Sequence, residues 1–462
     1  MSGTGTSSAS RAVDGAPRRA PCSAPRRTGG RPGTGPGADA VPLRWVWLAA
    51  WPITAVFVLS NAATPLYVLW QRDIGFSKGT LTVVFACYIA GLIGSLLVSG
   101  ALSDRIGRKP VLLPALGLAL AACLVFGTAG SVAALIVARL FTGVAVGAVV
   151  SAGMAAVTDV AGPERRRTAA LLASCAMVFG AGLGPLLAGV LSELAPGPTA
   201  TVFAVEAVLL ALAVSAVLRM PLPRPGGGDG GSDSGGSGGR PGERGEHGER
   251  DGHDGRGGWV RVPGVPSGRG RQLALGVAVF APGITATSFV LSLGPSLLSG
   301  LLGTTSRIVA GAMAFAMFLT ATGVQFAVRR LARRTVLAAG ATGTALSMLA
   351  LAAAVHSGSA AALLAAALLA GVGQGLGQLG GLSLLNSTIA PQRLAEANAA
   401  LNVGGYVPAG LLPVSAGYLS DAAGLPTGTT VFAAVLAALA VLGGLLVLTT
   451  PRRTTDPNPS DD

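Results

Sequence analysis

The stretch "GAGLGPLLAGVLSE" at residues 180–193 is written a second time, with few changes, as "PAGLLPVSAGYLSD" at 408–421. Aligned without a gap, the two share alanine, glycine, leucine, proline, alanine, glycine, leucine and serine, and each ends in an acid. The same offset of 228 residues sets Gly143 and Gly147 on Gly371 and Gly375, and Pro163, Arg165 and Ala169 on Pro391, Arg393 and Ala397. Glycine matches alone would arise by chance in a chain rich in glycine and alanine. Matched prolines, arginines and a terminal Leu-Ser-acid are a stronger sign of duplication.

Composition says what kind of unit is duplicated. The 462 residues are 51% hydrophobic and only 11% charged, with a mean hydropathy of +0.62. A soluble domain carries about 25% charged residues, so this chain cannot coat a water-facing surface in the usual way. Its long apolar stretches read as membrane-spanning helices. Twelve are expected, near 44–68, 80–100, 110–130, 132–157, 167–192, 199–218, 272–298, 308–328, 335–355, 359–387, 394–419 and 427–449. Six precede and six follow a polar break at 219–271 whose centre is "RPGGGDGGSDSGGSGGRPGERGEHGERDGHDGRGG". Such a segment buries no core and reads as a flexible tether. Its "RGG" and its histidines, His247 and His253, raise RNA or metal binding, but no aromatics interleave and no ligand spacing repeats. No nucleic-acid partner, metal or cofactor is expected.

The net charge of +13 has a topological reading. Of the 33 Lys and Arg residues, 29 fall in the N-terminal tail, the loops after even-numbered spans and the C-terminal tail. The opposite loops hold Arg72, Lys78 and Arg307, and Arg139 lies inside the fourth span. The positive-inside rule then puts both termini and the linker in the cytoplasm of a multi-pass protein of the cell (inner) membrane. The first 43 residues lack the apolar core of a cleavable signal peptide. Cys22, Cys87, Cys123 and Cys175 show no paired spacing, and the three in apolar segments are expected to be buried reduced thiols.

An even number of spans per half preserves orientation, so the duplication implies two parallel six-helix bundles, 44–218 and 272–450. A disordered tail (1–43), the linker (219–271) and a C-terminal tail (451–462) complete the chain. The fold class is an all-α membrane protein. Transporters are commonly built from such halves, with substrate bound between them near the midplane and access alternating as they rock.

"GALSDRIGRK" at 100–109 names the family that this pattern resembles. The glycine, Asp-Arg and Gly-Arg-Lys match the loop between spans two and three of the major facilitator superfamily. The likeness extends over residues 44–450, and "TPLYVLWQRDIGFSKGTLTVVFACYIAG" at 64–91 is similar to actinobacterial members. The corresponding second-half loop, "RRLARR" at 329–334, keeps the bases without the acid or the glycine. The resemblance implies a conformational latch of Gly100, Asp104, Arg105, Gly107, Arg108, Lys109 and Asp159. In it Asp104 engages the positive N-terminal end of span eleven when the cytoplasmic side is closed, and Asp159 receives Arg108. Gly100 would allow close helix approach and Gly107 a tight turn.

Two further stretches narrow the type. Arg139-Leu-Phe-Thr142-Gly143 resembles the family's Arg-x-x-Gln-Gly motif, linked to proton coupling, with Thr142 in place of glutamine. Gly180, Gly184, Pro185 and Gly189 resemble the motif of drug–proton antiporters. An arginine inside a span should face the interior and have a partner. Among the 20 acids only Glu206 lies well within a span, at a depth similar to that of Arg139. Either Glu206 carries the coupled proton under the control of Arg139, or the two form a fixed structural pair, or Glu206 sits near the lipid interface. The family architecture offers Asn61, Tyr67, Tyr88, Gln325, Gln374, Gln378, Asn386, Asn402 and Tyr406 as cavity residues, or equally as interhelical hydrogen-bonding groups. A pocket of this kind suits moderately lipophilic, neutral or weakly charged molecules. No HExxH, usable GxSxG or Walker A pattern is present, so neither a membrane enzyme nor an ATP-driven pump is expected. The expected function is monomeric, proton-coupled efflux of a small lipophilic compound through the bilayer. The alternative is a proton-coupled importer of a small neutral metabolite.

Overall fold

A bilayer offers no water to backbone N–H and C=O groups, so a chain this apolar must close its hydrogen bonds within helices. In the computed structural model every regular element among the described residues is helical. The described residues are 43–220, 269–303, 306–328, 330–390 and 393–451. The two tails, most of the linker with His247 and His253, and Cys22 and Pro391 lie outside them.

Thirteen helices follow in order: α1 (Leu43–Ala62), α2 (Tyr67–Ile74), α3 (Lys78–Ile106), α4 (Lys109–Gly127), α5 (Val132–Ala148), α6 (Met154–Leu194), α7 (Pro198–Arg219), α8 (Gly270–Leu302), α9 (Arg307–Ala327), α10 (Arg333–Ser357), α11 (Ala360–Thr388), α12 (Leu394–Ala423) and α13 (Leu425–Thr449). Among the described residues they make twelve crossings. The first is α1 and α2 together, joined by one tight turn at Thr64–Leu66, so it extends well past the expected residue 68. The fourth is α5, a widened π turn at Val149–Gly153 and the start of α6. The fifth begins after Gly162, whose φ of 71° breaks α6 between the two crossings. Among the described residues, eleven stretches are both long and apolar enough to span a membrane. The remaining crossing, α12, has 30 residues but carries Glu396, Asn398 and Asn402 in its first half.

One boundary corrects the sequence reading. Asp104 and Arg105 were expected in a loop beyond a span ending near residue 100, yet α3 continues to Ile106 and the connection is only Gly107 and Arg108. "SGALSDRI" contains no proline to end the helix, and Gly107, at φ 97°, stops it in a conformation that favours glycine. Cysteine burial is a second correction: Cys123 is buried and Cys87 half-buried, but Cys175 is exposed on α6.

The duplication is visible in the packing. A Cβ on Gly143 would lie 2.1 Å from the Tyr88 carbonyl oxygen, and one on its repeat Gly371 would lie 2.3 Å from that of Met317. Gly147 approaches the Leu92 carbonyl at 2.8 Å, and Gly375 approaches that of Ala321 at 2.1 Å. Helix starts repeat too. Ser77, Ser131, Ser306 and Ser359 cap α3, α5, α9 and α11, each accepting from the third residue of its helix. These caps lie at the end of the bundle opposite the linker, called here the far side.

Gly143→Ala and Gly375→Ala should each lower stability by about 1–3 kcal/mol, since the obstacle is backbone that cannot rotate away. Gly94→Ala, where a Cβ would meet nothing within 4 Å, serves as the control. Thermal unfolding in detergent should separate the first two variants from the third.

Candidate functional site

The repeated stretch of α6 lies between two helices, and its glycines face both. Cβ atoms on Gly180 and Gly184 would come within 2.5 Å and 2.1 Å of the Thr54 and Val58 carbonyls of α1. On the other side, a Cβ on Gly189 would sit 2.4 Å from the Arg307 carbonyl of α9, and one on Gly182 would sit 3.0 Å from Phe315. The Pro185 carbonyl is met in turn by Gly311 of α9, 2.2 Å from its notional Cβ. Helix α6 thus binds its own half to the other through backbone contact. Pro185 has no N–H for the Ala181 carbonyl one turn back, and Asn61 Nδ2 donates to that oxygen at 3.3 Å. Asn61, one of the proposed cavity residues, is therefore committed to repairing a proline break.

The second copy makes the same crossing in reverse. On α12, Gly410 packs on Ile89 of α3, and a Cβ on Gly417 would meet Thr82 Oγ1 at 2.4 Å and the Lys78 carbonyl at 2.9 Å. Lys78 and Arg307, and likewise Ile89 and Phe318, are equivalent at an offset of 229 residues.

Arg139 is fully buried, which an unpartnered guanidinium could not afford. Its Nε donates to the Tyr67 hydroxyl and its Nη1 donates to the Ser60 carbonyl at 2.6 Å. The rings of Tyr67, Phe85, Phe126 and Tyr88 surround the cation with centroids at 5.1, 5.5, 5.8 and 5.9 Å. Aromatic faces stabilise a desolvated cation here, in place of a carboxylate. Thr142, standing where the family motif has glutamine, turns its hydroxyl back to the Ala138 carbonyl of its own helix.

Glu206 is also fully buried, but it does not meet Arg139. Neither carboxyl oxygen has a hydrogen-bond partner, and one guanidinium nitrogen, Nη2, is likewise unpartnered. Among the described residues the expected structural pair is absent, and Glu206 is enclosed within the bundle rather than exposed on its surface. Glu206 faces Cys123 of α4 and follows Phe203 by one turn, in a stack where Phe203 and Phe126 lie 4.8 Å apart and Trp70 covers both. Depth along a helix fixes one coordinate only; the direction around it sets Arg139 against Ser60, Tyr67 and Phe85, and Glu206 beside Cys123.

The other cavity candidates divide. Tyr67 is consumed by Arg139. Tyr88 interacts with Ser60 and, across the halves, with Tyr406, which meets Phe280 edge-on at 6.4 Å. Gln374 is half-buried with its carbonyl oxygen unpartnered. Gln325, Gln378 and Asn402 are half-buried, while Asn386 is exposed near the linker-side end of α11.

At the linker side, Arg108 draws the motif together. Its Nη1 donates to Asp104 at 2.6 Å and to Ser103 at 3.0 Å, and its Nε donates to Asp159 at 3.0 Å. Burial works against the Arg108 charge, but the bonds to Asp104 and Asp159 outweigh it and raise the pKa above the ordinary value. Gly100 is half-buried on α3, and Arg105 is exposed. Lys109 has a separate task, donating from Nζ to the Leu218 carbonyl at the end of α7, at 3.0 Å. Arg334 of "RRLARR" donates in the same way to the Leu448 carbonyl at the end of α13. The second copy of the motif, though reduced, retains this C-terminal cap.

Sequence reasoning missed the aromatic cage and the Asn61 repair, although an aromatic-rich first crossing and a proline in α6 were signals for both. Tyr67→Phe leaves Arg139 Nε buried without its acceptor and should cost about 1–3 kcal/mol. Tyr88→Phe, which keeps its ring beside the cation, should cost less in the same thermal-unfolding measurement.

Comparison with known proteins agrees with this architecture. The family model described as Major Facilitator Superfamily matches residues 46–328 and 273–462. A 3-(3-hydroxy-phenyl)propionate transporter of Escherichia coli (strain K12) is 35% identical over 29% of this chain and 33% of its own length. The multidrug resistance protein MdtL of Klebsiella pneumoniae is 28% identical over 27% of this chain and 30% of its own. The matched stretch thus spans about a third of these curated relatives. Among solved structures, a bacterial homologue of the human lysosomal transporter Spinster, inward-facing and occupied, superposes with a TM-score of 0.66 at 13% identity, covering 89% of this chain and 97% of that one. A D-xylose-proton symporter gives 0.62 at 16% identity, covering 89% and 98%. With the duplicated six-crossing halves, the glycine seams and the family model all in agreement, the chain belongs to the major facilitator superfamily of membrane transporters.

Proposed function

We propose that this transporter exports a small, lipophilic, neutral or weakly charged compound in exchange for protons, as a monomer, by alternating access. The reading places the linker and both tails in the cytoplasm and treats 44–218 and 272–450 as the two moving bundles. The observation that carries it is the seam of α6. Gly180, Gly184, Pro185 and Gly189 form a narrow ribbon gripped by α1 of one half and α9 of the other, a tight yet separable contact of the kind that rocking halves require.

Three further features support the reading. Apart from Arg139, which is enclosed by its aromatic cage, and Glu206, the candidate cavity residues are tyrosines and amides rather than charged groups, which favours cargo with little charge of its own. Among the described residues Glu206 is a fully buried acid with no hydrogen-bond partner for either carboxyl oxygen, which supports it as the group that exchanges the coupled proton. Arg108, bridging Asp104 and Asp159, ties α3 to the linker-side segment of α6 that follows α5, a suitable place for a latch. MdtL relatives are named for multidrug resistance. The second reading, uptake of a small metabolite with protons, draws on the relative named for a hydroxyphenylpropionate.

The test is purified protein in liposomes with an internal pH dye, an imposed proton gradient and a panel of lipophilic compounds. Antiport predicts compound-evoked proton movement opposite to the solute, abolished by Asp104→Asn. Glu206→Gln should abolish the coupled proton flux while leaving solute exchange at equal pH. Solute and proton moving together would establish the importer reading instead.

A further inference from the structure

The acids that end the two repeated stretches do the same thing on opposite sides of the molecule. Glu193, in the last turn of α6, accepts through one oxygen from the backbone N–H groups of both Arg307 and Ile308, the first two residues of α9. Asp421, in the last turn of α12, accepts from Lys78 N at 3.0 Å and from Gly79 N at 2.8 Å, the first two residues of α3. In each case the helix belongs to the other half, and its N-cap serine, Ser306 or Ser77, already satisfies the N–H of the third residue. The foreign carboxylate takes the two N–H groups that the serine cannot reach. It also places a negative charge on the positive end of a helix dipole. Four residues before each acid, Gly189 and Gly417 press onto the Arg307 and Lys78 carbonyls. Each helix start is thus held by an acid and seated on a glycine. Arg307 and Lys78 are also two of the three basic residues in the far-side loops.

We propose that Glu193 and Asp421 are positioning residues for the alternating step, a matched pair of clamps that set how strongly the far side stays closed. When the halves separate there, four backbone N–H groups and two carboxylates exchange these bonds for water. The closed state is favoured by the difference, and the resting balance between closed and open is fixed by two residues remote from any cargo. The proposal rests on alternating access but on neither the cargo nor the coupling ion.

The test needs no substrate. In a variant with Cys22, Cys87, Cys123 and Cys175 replaced by serine, Ser296→Cys reports from beneath the far-side contact, where Ser296 Oγ meets Gln71 Oε1 of the other half at 3.4 Å. Gln378→Cys, half-buried on α11, reports from the linker side. Labelling by a membrane-impermeant maleimide at Ser296→Cys should rise about threefold for Glu193→Gln or Asp421→Asn and about tenfold for both. Labelling of Gln378→Cys from the linker side should fall in step, and Asp421→Glu should stay nearer the parent rate than Asp421→Asn. A rise at both reporters would mean general loosening and would overturn the clamp, as would parent rates at both in the double variant. Absence of far-side labelling in every protein, parent included, would sink alternating access itself.

Discussion

The end of a transmembrane helix is where backbone hydrogen bonding runs out, and every such end in this molecule needs a partner from elsewhere. The partners chosen decide what is rigid and what moves. At the linker side Lys109 and Arg334 close the C-terminal ends of α7 and α13, each within its own half. At the far side Glu193 and Asp421 close the N-terminal ends of α9 and α3, each in the opposite half. Basic caps therefore consolidate the bundles, and acidic caps join them.

Glycine serves both purposes. Gly143, Gly147, Gly371 and Gly375 press helices of one half together until only backbone separates them, and such contacts leave little room for sliding. Gly189, Gly311 and Gly417 press on backbone across the halves, but only in the part of each helix nearest the far side. A short seam of this kind, reinforced by a few exposed polar bonds, can open without disturbing the packing within either half. Rocking of preformed bundles is the motion this construction permits.

Much of this was legible in the amino-acid order. Hydropathy, the linker and the 228-residue echo carry the twelve crossings and the duplication, because burial in lipid and close helix packing each constrain residue type at many positions. The "LSE" and "LSD" endings were legible as a match, but not as clamps, since their partners lie 114 and 343 residues away in another bundle. Arg139 and Glu206 show a second limit. Their similar depth suggested a pair, yet depth says nothing about direction around the helix axis, and they face different neighbours. Asn61 shows a third: its amide reads as a cavity group until the proline-freed Ala181 carbonyl is found beside it.

The central claim is that two rigid halves exchange closure between the far and linker sides. Distances between pairs of spin labels test it most directly, with Asp73→Cys and Ala422→Cys reporting the far end of the first crossing against that of α12. Ile106→Cys and Ala400→Cys report the linker ends of α3 and α12. Rocking halves predict two populations at each pair, with opposite weights, so that conditions lengthening the far-side distance shorten the linker-side one. Two distances that stay single, or lengthen together, would contradict it.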